Sequence, residues 1–287
     1  MPVSVLFVEG SPKAPDRIVL PRIVPLGCTV IPGGSKTGLE DQVRGARVLG
    51  RGVVAALRDR DFDQDNSTPV WAPRGWVAGR AKDWIGWTWE RVEIENYLID
   101  PQVVSQALGR RAPQMTTYQR ALDDAAQRIA AYTAARTALS HWPPFAPMAN
   151  RWGDSVYGGD HLFPADHSPD ACRTAIRRVV ETYETARRVD VEEVLRRFEQ
   201  VHSECRPGGV RFAHYLTFFS GKDLAIAMAP ELDSMRLGTP KGFCNRVAGG
   251  VESATDDVAA WLPEWSALRM ALAEDRPLRS SLSVNTA

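Results

Sequence analysis

Two short apolar runs that each end abruptly in acid constrain this chain more than any other feature. Residues 3–8 (VSVLFV) run into Glu9-Gly10, and residues 52–57 (GVVAAL) run into Arg58-Asp59-Arg60-Asp61-Phe62-Asp63. Runs of this length, β-branched and stopped by turn residues, predict buried strands. Between them the apolar spacing predicts a helix over Asp16–Val24, a second strand over Cys28–Ile31 closed by Pro32-Gly33-Gly34, and a helix over Leu39–Leu49. Strands alternating with helices imply a parallel sheet with right-handed crossovers. In such a sheet the carboxyl ends of the strands share one edge, where ligand crevices form.

The following segment, 65–83, is rich in Pro, Gly and Trp and reads as a loop. Ile85–Trp89 is expected as a further strand, leading through Glu93-Ile94-Glu95-Asn96 to a short helix capped by Asp100-Pro101. Beyond this the character changes. Thr116–Leu139 is Ala-rich with a helical period, 140–169 is irregular, and helices are expected at 170–188, at 190–204, after Ser220-Gly221 and over 252–274. The expected fold is α/β: a parallel sheet flanked by helices over residues 1–112, with a mostly helical addition over 113–287.

Glu9 follows the first strand, and Asp59 and Asp61 follow the third, so three carboxylates are expected at one sheet edge. In extended backbone Asp59 and Asp61 would point to the same side. Such an oxygen-rich set suits Mg²⁺ or Mn²⁺ rather than zinc. A lone Glu at a strand end is usually a solvated turn residue; clustered acids after apolar strands are more informative, because burying them without a cation is costly. The chain has 35 basic and 35 acidic residues, a neutral balance that argues against a dedicated, tight DNA-binding module but not against a nuclease. Arginine pairs such as Arg110-Arg111 and Arg196-Arg197 read chiefly as solvated helix faces. The four cysteines are scattered, without a CxxC pair, and read as structural thiols. Nothing resembles a leader or a membrane span, and a cytoplasmic protein is expected.

VLFVEG followed by VVAALRDRDFD is similar to the Toprim domain shared by topoisomerases, primases and nucleases. The later ERVEIENYLI and FFSGKDL resemble more narrowly the Toprim nucleases of the overcoming-lysogenization-defect (OLD) type and their relatives that work with ATPases in anti-phage defence. The resemblance covers residues 3–98 and the GKD motif near 222. It implies that Glu9 is a metal ligand or general acid/base, that Asp59 and Asp61 are metal ligands, and that Glu95 is an additional acidic ligand, with Glu93 the second choice. It also implies that Lys222 neutralises charge on the reacting phosphate, with the turn at Ser220-Gly221 offering a helix N-terminus to that anion. The family usually has an aspartate soon after VEG; here SPKAP intervenes and Asp16 is the nearest candidate, while Asp63 is an outer-shell acid or only a loop residue.

The implied activity is metal-dependent hydrolysis of DNA or RNA, tRNA included. GGSKTG (33–38) lacks P-loop spacing, so any ATPase would be a separate partner. Lys36 and Thr37 there read as a phosphate contact or simply a turn. A homodimer is compatible with the sequence. The rival class is a non-catalytic regulatory or binding subunit of an ATPase complex. A phosphatase with Asp59 as nucleophile is disfavoured because that chemistry places its DxD on the first strand.

Overall fold

A computed structural model describes residues 2–10, 14–50, 52–62, 66–79, 82–142, 155–156, 162–182 and 189–274. The first part of the chain lays down β1 (Val5–Val8), α1 (Asp16–Ile23), β2 (Thr29–Pro32), α2 (Lys36–Val48), β3 (Val54–Arg58), β4 (Arg74–Ala78) and β5 (Asp83–Thr88). These strands form one sheet in the order β2-β1-β3-β5-β4. β1, β2, β3 and β5 are mutually parallel, and β4 closes one edge antiparallel to β5. In register, Val8 lies level with Pro32 and Leu57, and Arg58 with Thr88. The chain therefore leaves β1, β2, β3 and β5 at the same edge.

The apolar runs need no alternation because both sheet faces are covered. Leu6, Val8, Ala55 and Leu57 pack on the side of α1, with Val19, Leu20 and Ile23. Val54, Ala56 and Ile85 pack on the side of α2, with Leu39 and Val43.

After β5 come α3 (Glu95–Leu98), α4 (Pro101–Leu108), α5 (Met115–Ser140), the short hairpin β6 (Ser155–Val156) and β7 (Leu162–Phe163), α6 (Pro169–Thr182) and α7 (Val191–Cys205). They are followed by α8 (Tyr215–Phe218), α9 (Gly221–Ala227), α10 (Ala229–Ser234), α11 (Pro240–Ser253) and α12 (Pro263–Ala273). Asp100 caps α4 as expected, accepting from the Gln102 backbone at 2.9 Å. The helices pack on the α1 side of the sheet, and Leu20, Tyr97, Tyr118, Phe198, Phe243 and Trp265 belong to one continuous core. Among the described residues no helix is long and apolar enough to cross a membrane.

The structure corrects the sequence reading in three places. Segment 65–83 holds a strand, β4: an edge strand needs only one partner, and Gly75 and Gly79 beside Pro73 disguise it. α2 begins at Lys36, three residues before its first buried apolar residue, Leu39. The last helical stretch is broken. α11 stops at Ser253, Ala254 is extended, and Pro263 opens α12 at a position where its missing N–H costs nothing. The expected helix 170–188 is α6 as far as Thr182; its remainder, and most of the irregular connection at 140–169, lie outside the described residues.

Candidate functional site

The common edge gathers acids from three of its four parallel connections. Glu9 follows β1, Asp59 and Asp61 follow β3, and Glu93 and Glu95 follow β5. Asp16, the first residue of α1, is also buried there, only 8% exposed. Asp63 lies outside the described residues.

Local backbone sets these positions. Gly10, at φ +110°, pairs back to back with Gly34, so the ends of β1 and β2 are clamped and the start of α2 is held next to Glu9. The Asp59 backbone N–H donates to Glu9 Oε2 at 3.3 Å. The DxD does not continue the strand. β3 ends at Arg58, and Asp61 sits at φ +50° with its N–H donating to Val92 O at 3.1 Å. The same-side argument from extended backbone therefore does not hold; a tight turn brings the two aspartates to the edge. Arg60 between them is buried, donating to Glu90 O and stacking 5.0 Å over Phe218.

Two lysines enter this group. Lys36 Nζ lies 3.0 Å from Asp61 Oδ2, the side chains 22% and 28% exposed. Lys222 Nζ lies 2.5 Å from Glu93 Oε2 and 3.3 Å from Glu95 Oε2. Glu93 Oε1 also accepts from Ser220 Oγ at 2.7 Å and from the Lys222 backbone N–H at 2.9 Å. The anion at the N-terminus of α9 is thus the protein's own Glu93 carboxylate, not a site left open for a phosphate.

Asn96 fastens the Lys222 segment to the sheet. Its Nδ2 donates to Leu216 O at 2.9 Å and to Phe219 O at 2.7 Å, while its Oδ1 accepts from Glu93 N and Gly221 N, both at 3.1 Å. Gly221 must be glycine for contact reasons: a Cβ there would stand 2.3 Å from the Asn96 backbone nitrogen.

Charge in the cluster is unevenly compensated. Burial and the nearby Glu95 and Glu9 carboxylates push Asp16 up to about 7, against the pull of Lys222. Burial, then Asp16, Glu9 and Asp61, raise Asp59 well above the usual aspartate range. Burial and Asp61 raise Glu9, although Lys36 and the Asp59 N–H oppose them. Glu95 is raised by burial and Glu93 despite Lys222. For Glu93 burial is overcome: Lys222 and Ser220 hold it down to about 2. Burial works against the Lys222 ammonium, yet Glu93, Glu95 and Asp59 keep its pKa well above the ordinary lysine value.

In kind, these donors suit a hard cation: they are carboxylates in excess of the adjacent lysines, and buried Glu95 Oε2 is faced by the Lys222 ammonium at 3.3 Å. Among the described residues, however, no three His, Cys, Asp or Glu side chains are already gathered into a shell that could hold a metal ion.

Sequence reasoning missed Asn96 and the Ser220–Glu93 bond, and it left Asp16 and Glu93 at the margin. Nothing in their local spacing marks them, since their partners lie up to 129 residues away. Comparison with protein-family models and with curated protein sequences gives no match.

Proposed function

We propose that this chain is a metal-dependent nuclease, hydrolysing phosphodiester bonds of DNA or RNA with Mg²⁺ or Mn²⁺. The observation that carries this reading is the gathering of buried Asp16 and half-buried Glu9, Asp59, Asp61 and Glu95 at the carboxyl edge of a parallel sheet, with Glu9, Asp16 and Asp59 all pushed toward protonation. Clustered acids whose surroundings oppose their charge are a functional signal, because stability alone would select against them. Glu9, Asp59, Asp61 and Glu95 would hold the ion, with Asp16 adjoining them. When bound, a divalent cation polarises a phosphoryl oxygen and lowers the pKa of a water. Lys222, anchored by Glu93, would place positive charge beside the reacting phosphate. In this reading the protein acts in the cytoplasm as an effector of anti-phage defence restrained by a separate ATPase, as the OLD-like motifs VLFVEG, RDRDFD, EIEN and GKD suggest.

Purified protein incubated with plasmid DNA and with tRNA, in Mg²⁺ or Mn²⁺, tests this directly. Cleavage is expected with wild type and loss of at least ~100-fold with Glu9→Ala or Asp59→Asn. Cleavage that survives both substitutions would remove the site.

A second reading follows from the ion pairs themselves. If Lys36 and Lys222 neutralise the acids permanently, the chain is a non-catalytic regulatory or binding subunit, and the ungathered carboxylates favour that alternative. Absence of any cleavage by wild type, alone or with a partner ATPase, would select it.

A further inference from the structure

We propose that a cavity walled by α5, α8 and the start of α12 is a binding pocket for an organic cation: an alkyl guanidinium or ammonium group, carried by a basic peptide or by a free polyamine. The proposal is independent of any metal ion, and none of the acids at the sheet edge lines this cavity.

The cavity measures about 850 Å³, a size that takes a small ligand. Its floor is buried and charged. Arg91, Asp100 and Glu264 all line it and are 5%, 7% and 2% exposed. Arg91 pairs with Asp100 at 2.7 Å. Glu264 Oε2 lies 3.8 Å from Arg91 Nε, beyond hydrogen-bond length, and accepts no hydrogen bond. One guanidinium therefore answers two buried carboxylates, and burial raises the Glu264 pKa against the pull of Arg91.

The wall and mouth carry the same sign of charge. Gln119, Asp123 and Gln127 repeat every four residues along α5 and line the cavity together. Asp123 Oδ1 accepts from Tyr215 Oη at 2.8 Å and from Gln119 Nε2 at 3.0 Å, which fixes its carboxylate in place. Asp124 beside it is exposed, and Arg120, one turn earlier, pairs with neither aspartate among the described residues. Over the whole lining, the carboxylates of Asp100, Asp123, Asp124 and Glu264 stand against the single guanidinium of Arg91. Such a cavity draws in cations and repels phosphates, which excludes nucleotides and the nucleic-acid backbone. Aromatic rings supply the rest. Trp71, 53% exposed at the rim, meets His214 edge to face at 6.3 Å, and Phe212 lies 6.0 Å from Tyr215. Rings beside carboxylates suit a cation on an alkyl stem, because the stem packs on apolar surface while ring faces and carboxylates both attract the charge.

Titration calorimetry of the full chain with a capped arginine peptide, its neutral citrulline counterpart and spermidine tests this. Wild type is expected to bind the arginine peptide or spermidine, and the citrulline peptide at least about tenfold more weakly than the better of the two. The tighter cation names the source, a basic segment of a partner chain or a free polyamine. The double variant Asp123→Asn/Asp124→Asn should weaken that cation about tenfold, and Trp71→Ala about two- to fivefold. These positions are exposed, so melting temperatures should stay at the wild-type value. Asp59→Asn, at the sheet edge, should leave the affinity unchanged. Failure of wild type to bind either cation, or equal affinity for the citrulline peptide, would overturn the proposal. So would a loss of affinity in Asp59→Asn that the α5 and Trp71 variants do not share, since the cation would then sit at the sheet edge.

Discussion

Asp16 is a buried acid whose environment opposes its charge, and that has a consequence for stability. Its pKa rises from the ordinary aspartate value to about 7, through burial and the nearby Glu95 and Glu9 carboxylates. Between these two values the folded chain binds more protons than the unfolded chain, so the contribution of Asp16 to stability is fully present below the ordinary aspartate value and is lost as pH rises through about 7. A tenfold difference in proton affinity between the folded and unfolded chain corresponds to about 1.4 kcal/mol, so the contribution of Asp16 is on the order of a few kcal/mol. Glu93 has the opposite sign, but its depressed value of about 2 confines its effect to acid below the usual glutamate range. Denaturant unfolding should therefore show a lower midpoint at pH 8 than at pH 5, and Asp16→Asn should flatten that difference. Mg²⁺ should raise the midpoint more at pH 8 than at pH 5, since it replaces the lost proton. Equal midpoints at both pH values in wild type would rule out Asp16 as an uncompensated group. Lys222→Met tests the neighbouring pair: it leaves Glu93 buried beside Ser220 without its counter-ion, and a loss of about 1–3 kcal/mol is expected from the unfolding midpoint, tempered because Lys222 is 40% exposed.

At the level of elements, the site depends on how α9 is attached to the β5–α3 connection. Asn96 uses its amide on four backbone groups, two accepting and two donating, so no other side chain of that length satisfies the same set. Asn96→Ala should cost at least about 2 kcal/mol by leaving these groups unpaired, and activity should fall further than stability because Lys222 loses its position. Gly221→Ala should behave alike, since the clash is with backbone and cannot be relieved by a rotamer change. An activity loss no larger than the stability loss, compared below the unfolding transition, would count against a positioning role. These features explain which part of the molecule was legible in the sequence. β1 and β3 could be read because burial on both faces writes a continuous apolar run, and Glu9 and Asp59 could be read because they stand where those runs stop. β4 could not, because one-sided pairing leaves little hydrophobic pattern around Trp76. The Asn96 contacts could not, because they join residues more than a hundred apart. The turn at Asp61 leaves no local signal, since aspartate enters αL backbone only occasionally and a DxD reads equally well as extended chain.

On the scale of the whole molecule, sheet and helices share one interior. Leu6 and Leu20 beside the sheet belong to the same buried group as Phe243 and Trp265 from the last helices. The Val3 backbone N–H donates to Leu272 O at 2.9 Å, so the start of the chain is fastened to its last helix. A buried polar group strengthens this joint. Glu264 on α12 accepts from the Glu90 backbone at 2.8 Å and from Tyr97 Oη, and Arg91, stacked 4.7 Å over Tyr97, pairs with Asp100 at 2.7 Å. Residues 1–112 alone would expose the α1 face of the sheet, leave Asn96 without Leu216 and Phe219, and strip Glu93 of Lys222 and Ser220. Such a piece loses both a large apolar interface and the partners of buried polar groups, losses that together exceed the margin by which a domain this small is stable. The segment 1–112, produced by itself, is expected to give no cooperative thermal transition by circular dichroism, and full-length Glu264→Ala is expected to lose about 3 kcal/mol or more while still melting in one step. A sharp melt of the isolated segment would show that the sheet and its acid edge are a self-sufficient unit to which the helices are only added.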